Sequence, residues 1–98
     1  MITIWHAVLD LSAEARAHCA ALLSADEQQR AARFRTPALR DRYIAGRGQL
    51  RQILAAELEQ PPQSLVFEYG EHQKPHLSRG DLHFNITHTD HHMLCAIS

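Results

Sequence analysis

Three arginines of one predicted helix form the first candidate binding surface. Arg40, Arg47 and Arg51 are separated by seven and four residues, so they lie on one stripe of a helix. A guanidinium offers a planar fork of donors that suits phosphate oxygens. The ordinary explanation of a basic stripe is a solvated helix face, with Glu57 or Glu59 as partners of Arg51 or of its neighbours. The stripe alone is therefore weak evidence for a phosphate site.

Two short segments near the predicted strands carry further groups that suit a nucleotide. In Lys74-Pro75 the proline presents a flat ring on a fixed backbone, and the lysine adds a charge that can reach a phosphate. Thr87 and His88 place a hydroxyl and an imidazole at the end of a strand, where both suit a pyrophosphate. Composition alone favours simpler explanations, namely a common loop dipeptide and a hydroxyl that caps a turn.

A histidine-rich run follows Thr87 and suggests a metal site at first sight. His88, Asp90, His91 and His92 supply at most an incomplete tetrahedral set, so we expect a surface turn there and no metal. The sequence also contains no HExxH, GxGxxG, GxxxxGKS/T or GxSxG motif. Metalloprotease, dinucleotide, P-loop and α/β-hydrolase sites therefore have no support.

Capping signals predict three helices in the first two thirds of the chain. Their N-caps are Ser12, Ser24 and Thr36. Ser24 and Glu27 have the spacing of a capping box, and Pro37 suits the first position of the third helix. That helix should end before Pro61-Pro62, and its apolar stripe consists of Leu39, Tyr43, Leu50, Ile53, Leu54 and Leu58.

Strand patterns flank this helical region on both sides. β-branched and aromatic residues predict a first strand over 2–9. Alternating residues predict strands over 65–69, 82–87 and 93–97, and turn-forming residues predict a loop over 70–80. This order predicts an α+β fold, with helices packed on one face of a small, mainly antiparallel sheet.

Length and composition limit the possible classes of protein. A chain of 98 residues suits a single domain, residues 1–98, with one core. A net charge of −1 gives no general attraction for nucleic acid or an anionic membrane. No signal peptide or membrane span is indicated. Cys19 and Cys95 have neither CxxC nor zinc-like spacing, so we expect two free thiols and a cytoplasmic protein.

Taken in order, several segments resemble the Sfp-type 4′-phosphopantetheinyl transferases. They are Leu-Ser-Ala-Asp-Glu at 23–27, Arg-Ala-Ala-Arg-Phe at 30–34, the run over 42–54, Lys74-Pro75, and Phe-Asn-Ile-Thr-His-Thr at 84–89. No single segment is decisive, but the ordered set covers essentially the whole chain and is fairly specific. The resemblance implies the N-terminal, coenzyme-A-binding lobe of a two-lobed enzyme.

The resemblance also implies a reaction and a set of binding residues. In this family the phosphopantetheine arm of coenzyme A is transferred to a serine of an acyl or peptidyl carrier protein, and 3′,5′-ADP leaves. Such a displacement depends on positioning and on charge neutralisation. The residues carried over to this chain are Arg47 and Arg30 for the 3′-phosphate, Lys74 and Pro75 for the adenine, and Thr87 and His88 for the pyrophosphate.

Three residues depart from the family pattern. Gln73 replaces the glycine that usually precedes Lys-Pro, so the close backbone approach to adenine is not expected to be the same. Thr87 replaces a serine and keeps the hydroxyl. Glu27 lies where some members carry a basic residue, which implies fewer cations around the phosphate.

The family's acidic Gly-x-Asp-x-Glu metal motif and its Trp-x-x-Lys-Glu motif do not occur in the sequence. Full-length members are expected to use Mg²⁺, but we expect no catalytic residue, no Mg²⁺ site and little transfer from this chain alone. A missing C-terminal lobe would leave an apolar surface exposed, which favours a homodimer. Two alternatives stay open: a module that binds coenzyme A or 3′,5′-ADP without turnover, and an interaction domain with a decayed site.

Overall fold

The computed structural model describes residues 1–78 and 82–98, and the α+β class is confirmed. The helices are α1 (Ala13–Leu22), α2 (Ala25–Ala32) and α3 (Pro37–Leu58). The strands are β1 (Thr3–Val8), β2 (Phe67–Tyr69), β3 (Pro75–Leu77), β4 (Phe84–His88) and β5 (His92–Ile97). Gly80, which the sequence assigns to a loop, lies outside the described residues.

Each helix begins at the hydroxyl that the sequence predicts. The caps are Ser12, Ser24 and Thr36. At α2 the Glu27 amide donates to Ser24 Oγ (3.4 Å), and the Ser24 amide donates to Glu27 Oε1 (2.9 Å), which completes the capping box. α3 ends at Glu59, whose φ of 54° is left-handed and cannot continue a helix.

β5 is the central strand of a three-stranded antiparallel sheet in the order β1-β5-β4. Ala7 of β1 and His88 of β4 both pair with Met93 of β5. Side chains alternate along β5, so Met93 and Cys95 are buried, whereas Leu94 is 46% exposed. The sheet therefore has one face in the core and another that is open to solvent.

β2 and β3 form a separate two-stranded antiparallel sheet, so the strands are divided between two sheets. The sequence predicts a loop over 70–80, and this is wrong for Pro75–Leu77, which is β3. β3 escaped detection because it is only three residues long and begins at a proline. Proline is tolerated as the first residue of an edge strand because its missing N–H is not needed for pairing.

α3 supplies much of the core. Ala45 and Leu54 are fully buried at 0% exposure, whereas Leu39, part of the predicted apolar stripe, is 45% exposed. Gly48 lies directly against Cys19 of α1, so the two helices approach closely there. Neither α3 nor any other helix in the described residues is long and apolar enough to cross a membrane. Cys19 and Cys95 are free and buried.

The solvent-facing side of the β1-β5-β4 sheet carries several exposed apolar side chains. Ile4 is 67%, Val8 43% and Leu94 46% exposed. The register pairs Ile4 with Ala96 and Val8 with His92, so these positions share the face opposite Met93 and Cys95. The sequence leads us to expect an exposed apolar surface where a C-terminal lobe would pack, and it stays a prediction that this face is that surface.

Candidate functional site

The carboxylate of Glu27 is buried between two arginines of α3. Glu27 Oε2 accepts a hydrogen bond from Arg47 Nη1 (3.0 Å), and Oε1 accepts one from Arg51 Nε (2.7 Å). Glu27, Arg47 and Arg51 are only 2%, 8% and 2% exposed. Two guanidinium charges and one carboxylate charge leave this Glu27–Arg47–Arg51 cluster with an excess of positive charge.

Glu27 and Arg47 both stay charged near neutral pH. Burial acts to raise the pKa of Glu27, but hydrogen bonds from Arg51, the Ser24 backbone and Arg47 outweigh it. The pKa of Glu27 therefore lies below its usual 4.5. Burial likewise acts to lower the pKa of Arg47, but Tyr43 and the hydrogen-bonded neighbours of Arg47 raise it above its usual value. Hydrogen bonds in the protein interior thus keep Glu27 and Arg47 as an ion pair.

Arg51 has a structural role that its place on the arginine stripe did not reveal. Its Nη1 donates to two backbone carbonyls beyond the end of α3, at 2.8 Å each. Its acidic partner is Glu27, so the suggested pairing with Glu57 or Glu59 is wrong. Arg40 lies at the surface in an ion pair with the next residue. The arginine stripe therefore has a buried part, Arg47 and Arg51, and a solvent-exposed part, Arg40.

A cavity of about 470 Å³, called the main cavity below, lies beside the Glu27–Arg47–Arg51 cluster. Of the predicted site residues, those that line it are Arg30, Arg47, Pro75 and His88. They come from α2, α3, β3 and β4, so tertiary packing brings together groups that are far apart in sequence. A neighbouring cavity of about 540 Å³ shares Arg30 and Tyr43 in its wall.

The structure places Lys74 and Thr87 differently from the other predicted residues, since neither lines the main cavity. Lys74 Nζ donates to the side-chain oxygen of Asn85. Asn85 and Thr87 alternate with Ile86 and His88 along β4, so they project to the opposite side of the strand. The side chains of Lys74 and Thr87 are both exposed to solvent.

Arg42 and Tyr43 also line the main cavity, although the sequence assigns neither to the binding site and places Tyr43 in the apolar stripe. Arg42 Nη1 lies 3.7 Å from Asp90 Oδ1, which neutralises it in part. Arg42 and Tyr43 precede Gly46 and Arg47 by four residues, so they lie on the same face of α3. Helical spacing counted backward from Arg47 would have found Tyr43 but not Arg42, which lies five positions before it.

Aromatic rings hold the guanidinium of Arg47 in place. Its Cζ lies 5.4 Å from the Tyr43 ring centroid, 5.1 Å from that of Phe67 and 5.7 Å from that of Tyr69. Arg47 Nη1 also donates a hydrogen bond to Tyr69 Oη (2.5 Å). Cation–π contacts and a charge-assisted hydrogen bond thus fix Arg47 before any ligand arrives.

The described residues do not fit a magnesium site. In proteins Mg²⁺ keeps near-octahedral geometry and is usually held by one or two carboxylates together with waters and substrate phosphates. Within residues 1–78 and 82–98, no three His, Cys, Asp or Glu side chains come together to hold one ion. The side chain of Asp90, at the main cavity, is 79% exposed and paired with Arg42.

Sequence comparison identifies the class of protein to which this fold and cavity belong. The family profile described as "4′-phosphopantetheinyl transferase, N-terminal" matches residues 11–98. The chain belongs to the 4′-phosphopantetheinyl transferase family and corresponds to the N-terminal part of its longer members.

Two curated relatives show how much of a longer protein this chain represents. It is 38% identical to the 4′-phosphopantetheinyl transferase HetI of Nostoc sp., over 99% of this chain and 43% of that protein. It is 33% identical to the 4′-phosphopantetheinyl transferase gsp of Aneurinibacillus migulanus, over 78% of this chain and 32% of that protein. The chain thus spans less than half the length of these relatives.

Proposed function

We propose that this chain binds the nucleotide end of coenzyme A, as the N-terminal part of a 4′-phosphopantetheinyl transferase. The observation that carries the proposal is the main cavity, where Arg30, Arg42 and Arg47 meet around about 470 Å³ of space. A volume of that size is within the usual range of small-molecule sites. Family membership indicates the class of reaction, and the main cavity has room for the phosphorylated substrate of that reaction.

The charge balance around the main cavity favours a phosphate. Arg42 is offset by Asp90, so the excess charge comes from Arg30 and from the Glu27–Arg47–Arg51 cluster. That cluster is 2–8% exposed, and a charge so far removed from water interacts strongly with a counter-ion. An anionic ligand in the main cavity would offset this excess at little desolvation cost to the protein, because the guanidinium of Arg47 is already buried.

The proposed contacts follow the predicted residues. They are Arg47 and Arg30 with the 3′-phosphate, Lys74 and Pro75 with the adenine, and His88 and Thr87 with the pyrophosphate. Arg47, fixed at the wall of the main cavity, is preorganised for this task, which reduces the entropy lost on binding. A ligand that also reaches Lys74 and Thr87 must extend over the exposed edge of β4.

Bound in this way, coenzyme A would donate its phosphopantetheine arm to a serine of an acyl or peptidyl carrier protein, with 3′,5′-ADP as the leaving group. Cations at the pyrophosphate stabilise the negative charge that the leaving group acquires. The carrier partner, the weak transfer expected of this chain alone, the homodimer and the cytoplasmic location remain predictions.

Replacing His88 with alanine is expected to weaken coenzyme A binding about tenfold, because one hydrogen bond to a charged phosphate is lost. Calorimetric titration of the purified chain measures the change. His91→Ala is the matched control, because His91 pairs with Asp10 at the surface and does not line the main cavity. The control is expected to bind within about twofold of the wild type, since an exposed pair contributes little.

Two results would contradict this proposal. In one, the wild-type chain shows no binding of coenzyme A at millimolar concentration, which would mean that the main cavity is not a coenzyme A site. In the other, His88→Ala and His91→Ala weaken binding equally, which would mean that histidine charge acts at long range and that His88 makes no specific contact.

A further inference from the structure

The hydroxyl of Tyr43 is buried without a hydrogen-bond partner among the described residues. Tyr43 lies in the wall shared by the main cavity and its neighbour. Buried hydroxyls in folded proteins are nearly always paired, so an unpaired one needs an explanation. A position between two cavities suggests that the partner is a bound molecule.

Cations surround the ring of Tyr43. The Arg30 Cζ lies 5.7 Å from its centroid and the Arg47 Cζ 5.4 Å, while the Phe34 ring packs 5.3 Å away. Both guanidinium groups therefore lie beside the ring that carries this hydroxyl. The ligand group best suited to one phenol donor and two cations is an oxygen of a phosphate ester.

The phenol remains a donor under ordinary conditions. Burial raises the pKa of Tyr43 to about 12, so the proton stays on the oxygen near neutral pH. Tyr69 is different, because its hydroxyl accepts a hydrogen bond from Arg47 (2.5 Å) and so belongs to the folded framework. The two tyrosines line the same neighbouring cavity, but only the Tyr69 hydroxyl has a partner within the described chain.

We propose that Tyr43 Oη donates a hydrogen bond to a phosphate oxygen of the bound nucleotide and so belongs to the binding site. The inference rests on the proposed function and adds a residue to it. Arg30 is exposed and lies over the ring, so its side chain has room to move and admit the phosphate. The same movement brings the guanidinium of Arg30 to the ligand.

Tyr43→Phe tests the inference, because it removes only the hydroxyl. The variant is expected to melt within about 2 °C of the wild type or above it, since no hydrogen bond within the described chain is lost. It is expected to bind 3′,5′-ADP roughly 5- to 10-fold more weakly in calorimetric titration. Tyr69→Phe is the matched control, and its melting temperature is expected to fall because Arg47 loses an acceptor.

Failure of this inference can be distinguished from failure of the proposed function. A wild-type chain that binds no 3′,5′-ADP would overturn both this inference and the proposed function. Equal binding by wild type and Tyr43→Phe would overturn this inference alone. A melting temperature of Tyr43→Phe that falls as far as that of Tyr69→Phe would also overturn it, because the hydroxyl would then serve the fold.

Discussion

Replacing Glu27 with alanine is expected to lower the free energy of unfolding by about 3–5 kcal/mol, the usual loss when one partner of a buried ionic network is removed. The substitution leaves Arg47 and Arg51 buried at 8% and 2% exposure with no carboxylate between them. It also removes the capping box at the start of α2. The melting temperature should fall by at least about 12 °C for a domain of this size.

Chemical denaturation of wild type and variants measures this effect. Asp26→Ala is the matched control, because Asp26 is the exposed neighbour and should change the free energy by less than about 1 kcal/mol. Adding Arg47→Met to Glu27→Ala should restore part of the loss, since it removes one uncompensated buried charge. Equal losses of unfolding free energy in Glu27→Ala and Asp26→Ala would contradict the role of Glu27 as the carboxylate that pairs with buried Arg47 and Arg51.

The same carboxylate predicts a pH dependence of stability. The folded pKa of Glu27 is lowered below its usual 4.5, so its contribution is fully present above that pH. The contribution is lost as the pH falls through the lower, folded value. The difference in unfolding free energy between wild type and Glu27→Gln should therefore be constant from pH 5 to 7 and shrink below about pH 4.5. A difference that grows in acid would show that the pKa shift has the opposite sign.

Gly48→Ala is expected to be the other severe substitution, lowering the free energy of unfolding by about 2–3 kcal/mol or more. A Cβ on Gly48 would contact Cys19 Cβ and would lie 2.8 Å from Cys19 Cα, so backbone has to move. The change would push α1 away from α3, and the gain in helix propensity, about 1 kcal/mol, does not offset that displacement.

Gly46→Ala is the matched control in the same helix. A Cβ there would meet Leu9 Cδ2 at 3.5 Å, an ordinary van der Waals contact. It should therefore stabilise the chain by up to about 1 kcal/mol through helix propensity. Urea denaturation of both variants separates the cost of the clash with Cys19 from the gain in helix propensity. If Gly48→Ala were as stable as Gly46→Ala, the close packing of α1 on α3 at Cys19 would be wrong.

Much of the fold is predictable from short-range signals. Ser24 with Glu27, and Thr36 with Pro37, fix helix starts because a capping side chain and the amide it binds lie within one turn. The alternation of Phe84 and Ile86 with polar residues likewise reports a half-buried strand. β3 could not be predicted because three residues that begin with proline carry almost no periodic signal.

The site was less predictable because its contacts are long-range. Glu27 and Arg47 are 20 positions apart, and spacing shows which face of a helix a residue occupies but not which helix packs against it. Glu27 was therefore recognised as a capping residue and as a family departure, but not as the partner of two arginines. For the same reason spacing alone leaves Arg51 on a stripe whose ordinary explanation is a solvated helix face, although Arg51 is buried.

The most direct test of nucleotide binding is a paired calorimetric titration with coenzyme A and dephospho-coenzyme A, which differ only in the 3′-phosphate. If Arg30 and Arg47 hold that phosphate, coenzyme A should bind at least about tenfold more tightly, and Arg30→Ala should reduce the preference. Equal affinities of the wild-type chain for the two ligands would contradict the assignment of the 3′-phosphate to the main cavity.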